Sequence, residues 1–118
     1  MTIERANTIL YCRRFRETLA FYEDGLRLSA ITRRDWFVEL RLGPDSALSI
    51  ADESRATVGS GEGRGVTISL RVMDAARTRE ELIAAGLDPE PMRTSWGSPA
   101  FFIFDPEGHR LEVWSHEQ

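Results

Sequence analysis

The chain has 118 residues, 42% hydrophobic and 29% charged, enough for one domain with a real core but not for two independent ones. Nineteen acidic against fifteen basic residues leave a net charge of −4, which argues against a nucleic-acid binder held by phosphate contacts. All fifteen basic residues are arginine, so no lysine amine exists to form a Schiff base. The single cysteine, Cys12, cannot form an intramolecular disulfide and fits a reducing compartment. No apolar run approaches membrane-span length and Met1 to Arg5 does not begin a signal peptide, so the expected location is the cytoplasm, with no membrane partner.

In chain order, Ala6 to Cys12 (ANTILYC) is predicted to be a strand, with Asn7, Ile9 and Tyr11 on one face and Thr8, Leu10 and Cys12 on the other. Phe15, Leu19, Tyr22 and Leu26 then follow at spacings of four, three and four, one apolar stripe of a helix. Gly25 is the expected C-terminal cap. Three strands are predicted next: Arg27 to Arg33, Trp36 to Leu42, and Ala47 to Ala51. The second alternates Trp36, Val38, Leu40 and Leu42 against Phe37, Glu39 and Arg41. Trp36, Val38 and Leu40 are read as helix-facing core rather than ligand wall.

Residues 53–65 are rich in Gly and Ser without periodicity and read as an exposed linker. The glycines at 59, 61, 63 and 65 imitate a phosphate loop only superficially. No Lys-Ser/Thr follows them, and the next element is a strand rather than the helix whose N-terminal amides would hold an anion.

The order then repeats. Val66 to Val72 alternates as a strand, Asp74 caps a helix running to Ala85 with Leu82 and Ile83 on its apolar side, and Gly86 stops it. Pro89 and Pro91 confine any strand in Asp88 to Thr94 to a short piece or a sheet edge. Asp105-Pro106-Glu107-Gly108 has the residues of a type I turn in order, flanked by apolar runs at Ala100 to Phe104 and Leu111 to Trp114, a β-hairpin. On its second arm Leu111 and Val113 share one face, Glu112 and Trp114 the other. Each half of the chain, roughly 50 residues, thus reads strand, helix, strand, strand, strand, and each helix ends in Gly-Leu.

Two βαβββ units in this length resemble the vicinal oxygen chelate superfamily, which includes glyoxalase I, extradiol dioxygenases, and fosfomycin- and bleomycin-resistance proteins. The resemblance covers nearly the whole chain and is carried by RRFRETLAFYEDGLRL, MDAARTREELIAAGL and, above all, WG…FFIFDPEGHRLEVW. It implies an α+β fold in which two βαβββ units (about residues 4–52 and 66–118) make a single domain of this type. Their curled mixed sheets would surround a cup-shaped pocket, in a homodimer. A ferredoxin-like chain is the competing fold, with two strands between its helices where four are counted here.

The resemblance also implies a metal site of four side chains, His or Gln, Glu, His or Gln, and Glu, one from the first and one from the last strand of each unit. The matching positions are Asn7, Ser49, Thr67 and Glu112, and only Glu112 keeps the expected chemistry. One carboxylate with an amide and two hydroxyls is a poor set for a divalent ion. His109 lies in the turn and His116 in the tail, matching neither His position. No metal and no cofactor are therefore expected. The candidate ligand-binding residues are Asn7, Tyr11, Phe37, Glu39, Ser49, Thr67, Trp96, Glu112 and Trp114. Tryptophans 96 and 114 would stack on a planar ring, and Glu39 and Glu112 would pair a cationic group.

Three functions stay open. The leading one is metal-free sequestration of a small aromatic or cationic molecule, with antibiotic resistance as one use. The second is an enzyme of the superfamily (a lyase, dioxygenase or isomerase) with Glu112 as metal ligand or general base. The third is a protein-interaction module with an empty cup. Trp96 fits a pocket wall or a dimer interface, Glu112 a pocket or a solvated strand face, and Cys12 an inert buried thiol.

Overall fold

The computed structural model describes residues 1–117, which fall into two compact units, Met1–Glu62 and the chain from Gly63 onward. The first unit comprises β1 (Ala6–Cys12), α1 (Phe15–Ala20), β2 (Ala30–Arg34), β3 (Phe37–Gly43) and β4 (Ser46–Asp52). Its four strands form one sheet in the order β1-β4-β3-β2, with β1 parallel to β4 and the other pairs antiparallel. The second unit comprises β5 (Thr67–Arg71), α2 (Ala75–Ala84), β6 (Arg93–Ser95), β7 (Ser98–Phe104) and β8 (Arg110–Trp114). Its sheet runs β5-β8-β7-β6, again with one parallel pair, β5 with β8. Each half is thus βαβββ, in an α+β fold. Four strands, β2 to β5, separate the helices, which removes the ferredoxin-like alternative.

Alternation decides which face of each sheet is core. In the first unit Leu10, Cys12, Val38, Leu40, Leu48 and Ile50 are buried on the side that also packs α1, whose Phe15 is buried as well. In the second, Phe101 pairs with Val113 and Ile103 with Leu111, and all four are buried together with Leu82 of α2. Each such side chain contributes roughly 1.5–3 kcal/mol by leaving water. Ile83, expected beside Leu82, is instead exposed. Trp36 lies just before β3 and is only partly buried, whereas Val38 and Leu40 are core as expected.

The first helix departs from its expected form. After six α-helical residues it continues as a π-helical turn, Phe21–Gly25, closed by the Leu26 amide donating to the Phe21 carbonyl at 2.9 Å. Two consecutive aromatics, Phe21 and Tyr22, are buried there edge to face, 5.0 Å apart. The wider turn also moves the chain reversal: Arg27, not Gly25, adopts the left-handed conformation (φ 61°), so the expected glycine cap is corrected. The second helix keeps to expectation. The Asp74 carboxylate accepts the Arg77 amide at 3.1 Å, and Gly86 has φ 86°.

The two weakest strand assignments become edges. The residues of β2 are all exposed, its pairing is bulged between Ala30 and Thr32, and Arg33 is ion-paired with Glu23. Strand β6 has only three residues, starting just past the prolines. Residues 53–65 have little regular structure but are not slack. Glu53–Arg55 make one 3-10 turn, the Glu53 carboxylate accepts the Ser60 amide at 2.8 Å, and Arg13 pairs with Glu53 and Glu62. Among the described residues no helix is long and apolar enough to cross a membrane.

Candidate functional site

The face of the second sheet away from its core carries the chemistry. Register places Ser69 of β5 and Phe102 of β7 on either side of Glu112 in β8, and Arg71 and Ala100 on either side of Trp114. The Glu112 carboxylate is partly buried, and each of its oxygens accepts a hydroxyl, Oε1 from Ser69 at 3.1 Å and Oε2 from Ser95 at 3.2 Å. Among the described residues it has no cationic partner.

Beside it, Ser95 and Ser98 pair across a two-residue hairpin whose loop is Trp96-Gly97, both at positive φ (53° and 79°). That is type I′ geometry, where Asn-Gly is preferred and a bulky first residue is strained. Trp96 is fully exposed at this tip. Ser69, Ser95, Trp96, Ser98, Glu112 and Trp114 together line a pocket of about 380 Å³, within the usual range for small-molecule sites. Trp114 meets His116 edge to face at 5.2 Å.

In the first unit, β1 and β4 bring Asn7 and Ser49 together, Ser49 Oγ donating to Asn7 Oδ1 at 2.8 Å. Glu39 stands beside Ser49 in the β3–β4 register and is buried. Its carboxylate is already engaged, with Arg5 at 2.6 Å and the Thr32 hydroxyl at 3.3 Å, so a ligand cation would have to displace Arg5. Tyr11 and Phe37 flank Ala51 on the same face, and Phe37 packs against Trp36 at 5.6 Å.

The four positions aligned with a divalent-metal site do not fit such an ion. Ser49 spends its hydroxyl proton on the Asn7 oxygen, and Thr67 Oγ1 accepts two guanidinium N–H groups from Arg110 at 3.0 and 2.8 Å. A hydroxyl saturated by a cation is a poor ligand for a second cation. Among the described residues no group of three His, Cys, Asp or Glu is placed to hold a metal. His109 is a structural residue: it is buried in the β7–β8 turn with Nδ1 2.8 Å from Asp105 Oδ2. Cys12 is buried, its thiol directed at the Leu10 carbonyl.

Sequence reading missed Phe102, Arg93 and Arg110 on this face. Arg93 and Arg110 lie over the Phe102 ring, 4.7 and 4.4 Å from its centroid. Carrying the Glu112 alternation across the hairpin would have found Phe102; Arg93 belongs to a strand too short to announce a face.

A family model described as the Glyoxalase/Bleomycin resistance protein/Dioxygenase superfamily matches residues 4–113. Among solved structures, a lactoylglutathione lyase from Agrobacterium tumefaciens is 24% identical over 93% of this chain and 91% of its own, with TM-score 0.75. A glyoxalase/bleomycin resistance protein/dioxygenase from Nocardioides is 19% identical over 100% of this chain and 88% of its own, TM-score 0.77. A glyoxalase/bleomycin resistance protein from Catenulispora acidiphila is 16% identical over 98% and 100%, also at 0.77. At these identities the likeness is one of fold. No curated protein matches the sequence.

Proposed function

Because the chain belongs to the Glyoxalase/Bleomycin resistance protein/Dioxygenase superfamily, we propose that it is a metal-free binding protein that sequesters a small aromatic cation. The observation that carries this reading is the state of Glu112. Its carboxylate is oriented by two neutral hydroxyls, has no cationic partner among the described residues, and sits in a pocket walled by two tryptophans. Stacking on Trp96 and Trp114 contributes about 0.5–1.5 kcal/mol per ring pair, and a desolvated cation over an indole up to about 2 kcal/mol. No bond is made or broken. Removing a planar cationic antibiotic from solution in this way would give resistance.

The protein acts as a homodimer in this proposal. Strands β1 and β5 are the terminal strands of their sheets, and Ile9 on β1 and Val66 just before β5 are exposed apolar residues that a second copy would cover.

A direct test is titration with 9-aminoacridine, a planar cation, followed by tryptophan fluorescence. Saturable quenching weakened about ten-fold or more in Glu112→Gln is expected; unchanged binding in that variant overturns the assignment. The second reading makes Glu112 a general base of a superfamily enzyme, favoured by its partial burial in a pocket beside hydroxyls that would fix its orientation. Loss of turnover with retained ligand affinity in Glu112→Gln distinguishes it.

A further inference from the structure

The same sheet face holds a second feature that this binding reading does not use. Arg93 approaches the Phe102 ring from β6 and Arg110 approaches it from β8, the strands on either side of β7. A phenyl ring attracts each guanidinium through its quadrupole but neutralises neither. The Nε and one terminal nitrogen of Arg110 are fixed on the Thr67 hydroxyl, also neutral, which leaves its other terminal nitrogen free to donate. Neither arginine has a carboxylate partner among the described residues, although Glu112 lies two residues from Arg110 on the same strand face and directly opposite Phe102. Neutral hydroxyls orient both groups, Ser69 and Ser95 at Glu112 and Thr67 at Arg110.

We propose that Arg93, Phe102 and Arg110 form an oxyanion subsite next to the Glu112 pocket. The ligand is then a zwitterion, with a planar cationic part at Glu112 and a carboxylate or phosphate at the two guanidinium groups. Both guanidinium groups lie over the ring of the residue directly opposite Glu112, so the two charges that the ligand meets sit on neighbouring strands of one sheet face. Forked guanidinium donors suit carboxylate and phosphate geometry alike. This inference rests on the reading that Glu112 takes the ligand's cation.

The test uses four probes with one ring: 4-(aminomethyl)benzoate, its phosphonate counterpart, and the single-charge controls 4-methylbenzylamine and 4-methylbenzoate. Binding to the whole chain is followed by NMR shifts of the Ser69, Ser95, Phe102 and Glu112 amides. The expected result is that one or both zwitterions bind about ten-fold or more tightly than 4-methylbenzylamine. The carboxylate and phosphonate arms show which anion the subsite takes. That advantage should vanish in the doubly substituted R93Q/R110Q chain, while 4-methylbenzylamine binds it no more weakly, since the loss of two nearby cations can only favour an amine at Glu112. If 4-methylbenzylamine binds and neither zwitterion binds better, the oxyanion subsite is overturned and the Glu112 reading stands. If none of the amines shifts these amides, both fail. Single R93Q, which leaves the Thr67 contact intact, gives the same comparison should the double substitution unfold the chain.

Discussion

Asp105 and His109 are joined at both ends of one turn. Asp105 Oδ1 accepts the His109 amide at 2.9 Å, Oδ2 lies 2.8 Å from His109 Nδ1, and the Asp105 amide donates to the His109 carbonyl at 3.0 Å. Oδ1 also accepts the Glu107 amide at 2.9 Å. One buried carboxylate thus organises the β7–β8 turn and sets the register that places Glu112 opposite Phe102.

Replacing Asp105 by Ala removes the acceptor of the Glu107 and His109 amides and of the His109 imidazole, at about 1–3 kcal/mol for each buried group that loses its hydrogen bond. Urea denaturation should show Asp105→Ala destabilised by roughly 3 kcal/mol or more, with Asp105→Asn milder because it keeps one acceptor. Equal stability of Ala and wild type would show that the turn holds by its Pro-Glu-Gly segment alone.

Gly63 has φ 81°, and a Cβ there would come within 2.6 Å of the His109 nitrogen and closer still to the Gly108 carbonyl. Gly63→Ala should cost more than 2 kcal/mol, roughly the combined penalty of left-handed strain and backbone displacement. Gly61→Ala, with nothing within 4 Å, is the control and should change stability by less than about 0.5 kcal/mol. A comparable effect at both positions in thermal unfolding would mean that the close approach of Gly63 to this turn is not felt.

Trp96 occupies the first position of a type I′ turn, at a cost of about 1–2 kcal/mol that no internal contact repays, since its side chain is fully exposed. Trp96→Asn should therefore raise the urea midpoint while weakening 9-aminoacridine binding. Stabilisation with unchanged binding would remove Trp96 from the pocket wall and leave it as a surface for another chain.

The donor set at Asn7, Ser49, Thr67 and Glu112 predicts that dialysis against zinc, manganese or nickel leaves less than stoichiometric metal on the protein. One firmly held ion per chain, lost in Glu112→Gln, would overturn the metal-free reading and favour the enzyme.

The Asp52 carboxyl is held below its usual value by the Ser54 hydroxyl, then by the Ser54 amide; burial opposes them, and the charges of Arg55 and Arg16 add lesser lowering effects. A depressed carboxyl stabilises the fold at pH above its unfolded pKa and loses that contribution as pH falls through the folded value. Carboxyl-carbon NMR should find Asp52 titrating below the exposed aspartates, and Ser54→Ala should move it upward. No movement would assign the effect to the arginines.

Much of the architecture was legible because period-2 and period-3.6 patterns depend on neighbours in the chain. The alternation of Leu111 and Val113 against Glu112 and Trp114, the Asp74 cap and the DPEG turn all appear where sequence reading put them. The end of the first helix was misread because burying Phe21 beside Tyr22 is a packing outcome, and it widened the turn past Gly25. The candidate site was legible as a shared sheet face, Ser69 included, but not as a set of contacts. Trp114 and Glu112 could be placed on one face, but the hydroxyls that hold Glu112 come from β5 and β6, distant in sequence.

The residues themselves determined that there is no lysine nucleophile, no intramolecular disulfide and only one acidic group at the four family metal positions. Composition and identity at aligned positions require no coordinates. Tertiary structure alone decided which charges are already spent. It pairs Glu39 with Arg5 and Thr67 with Arg110, and among the described residues it leaves Glu112, Arg93 and Arg110 without opposite charges. The reason is physical: which polar groups meet depends on distances of a few ångströms between strands whose residues lie up to 43 positions apart, and no local pattern encodes that separation.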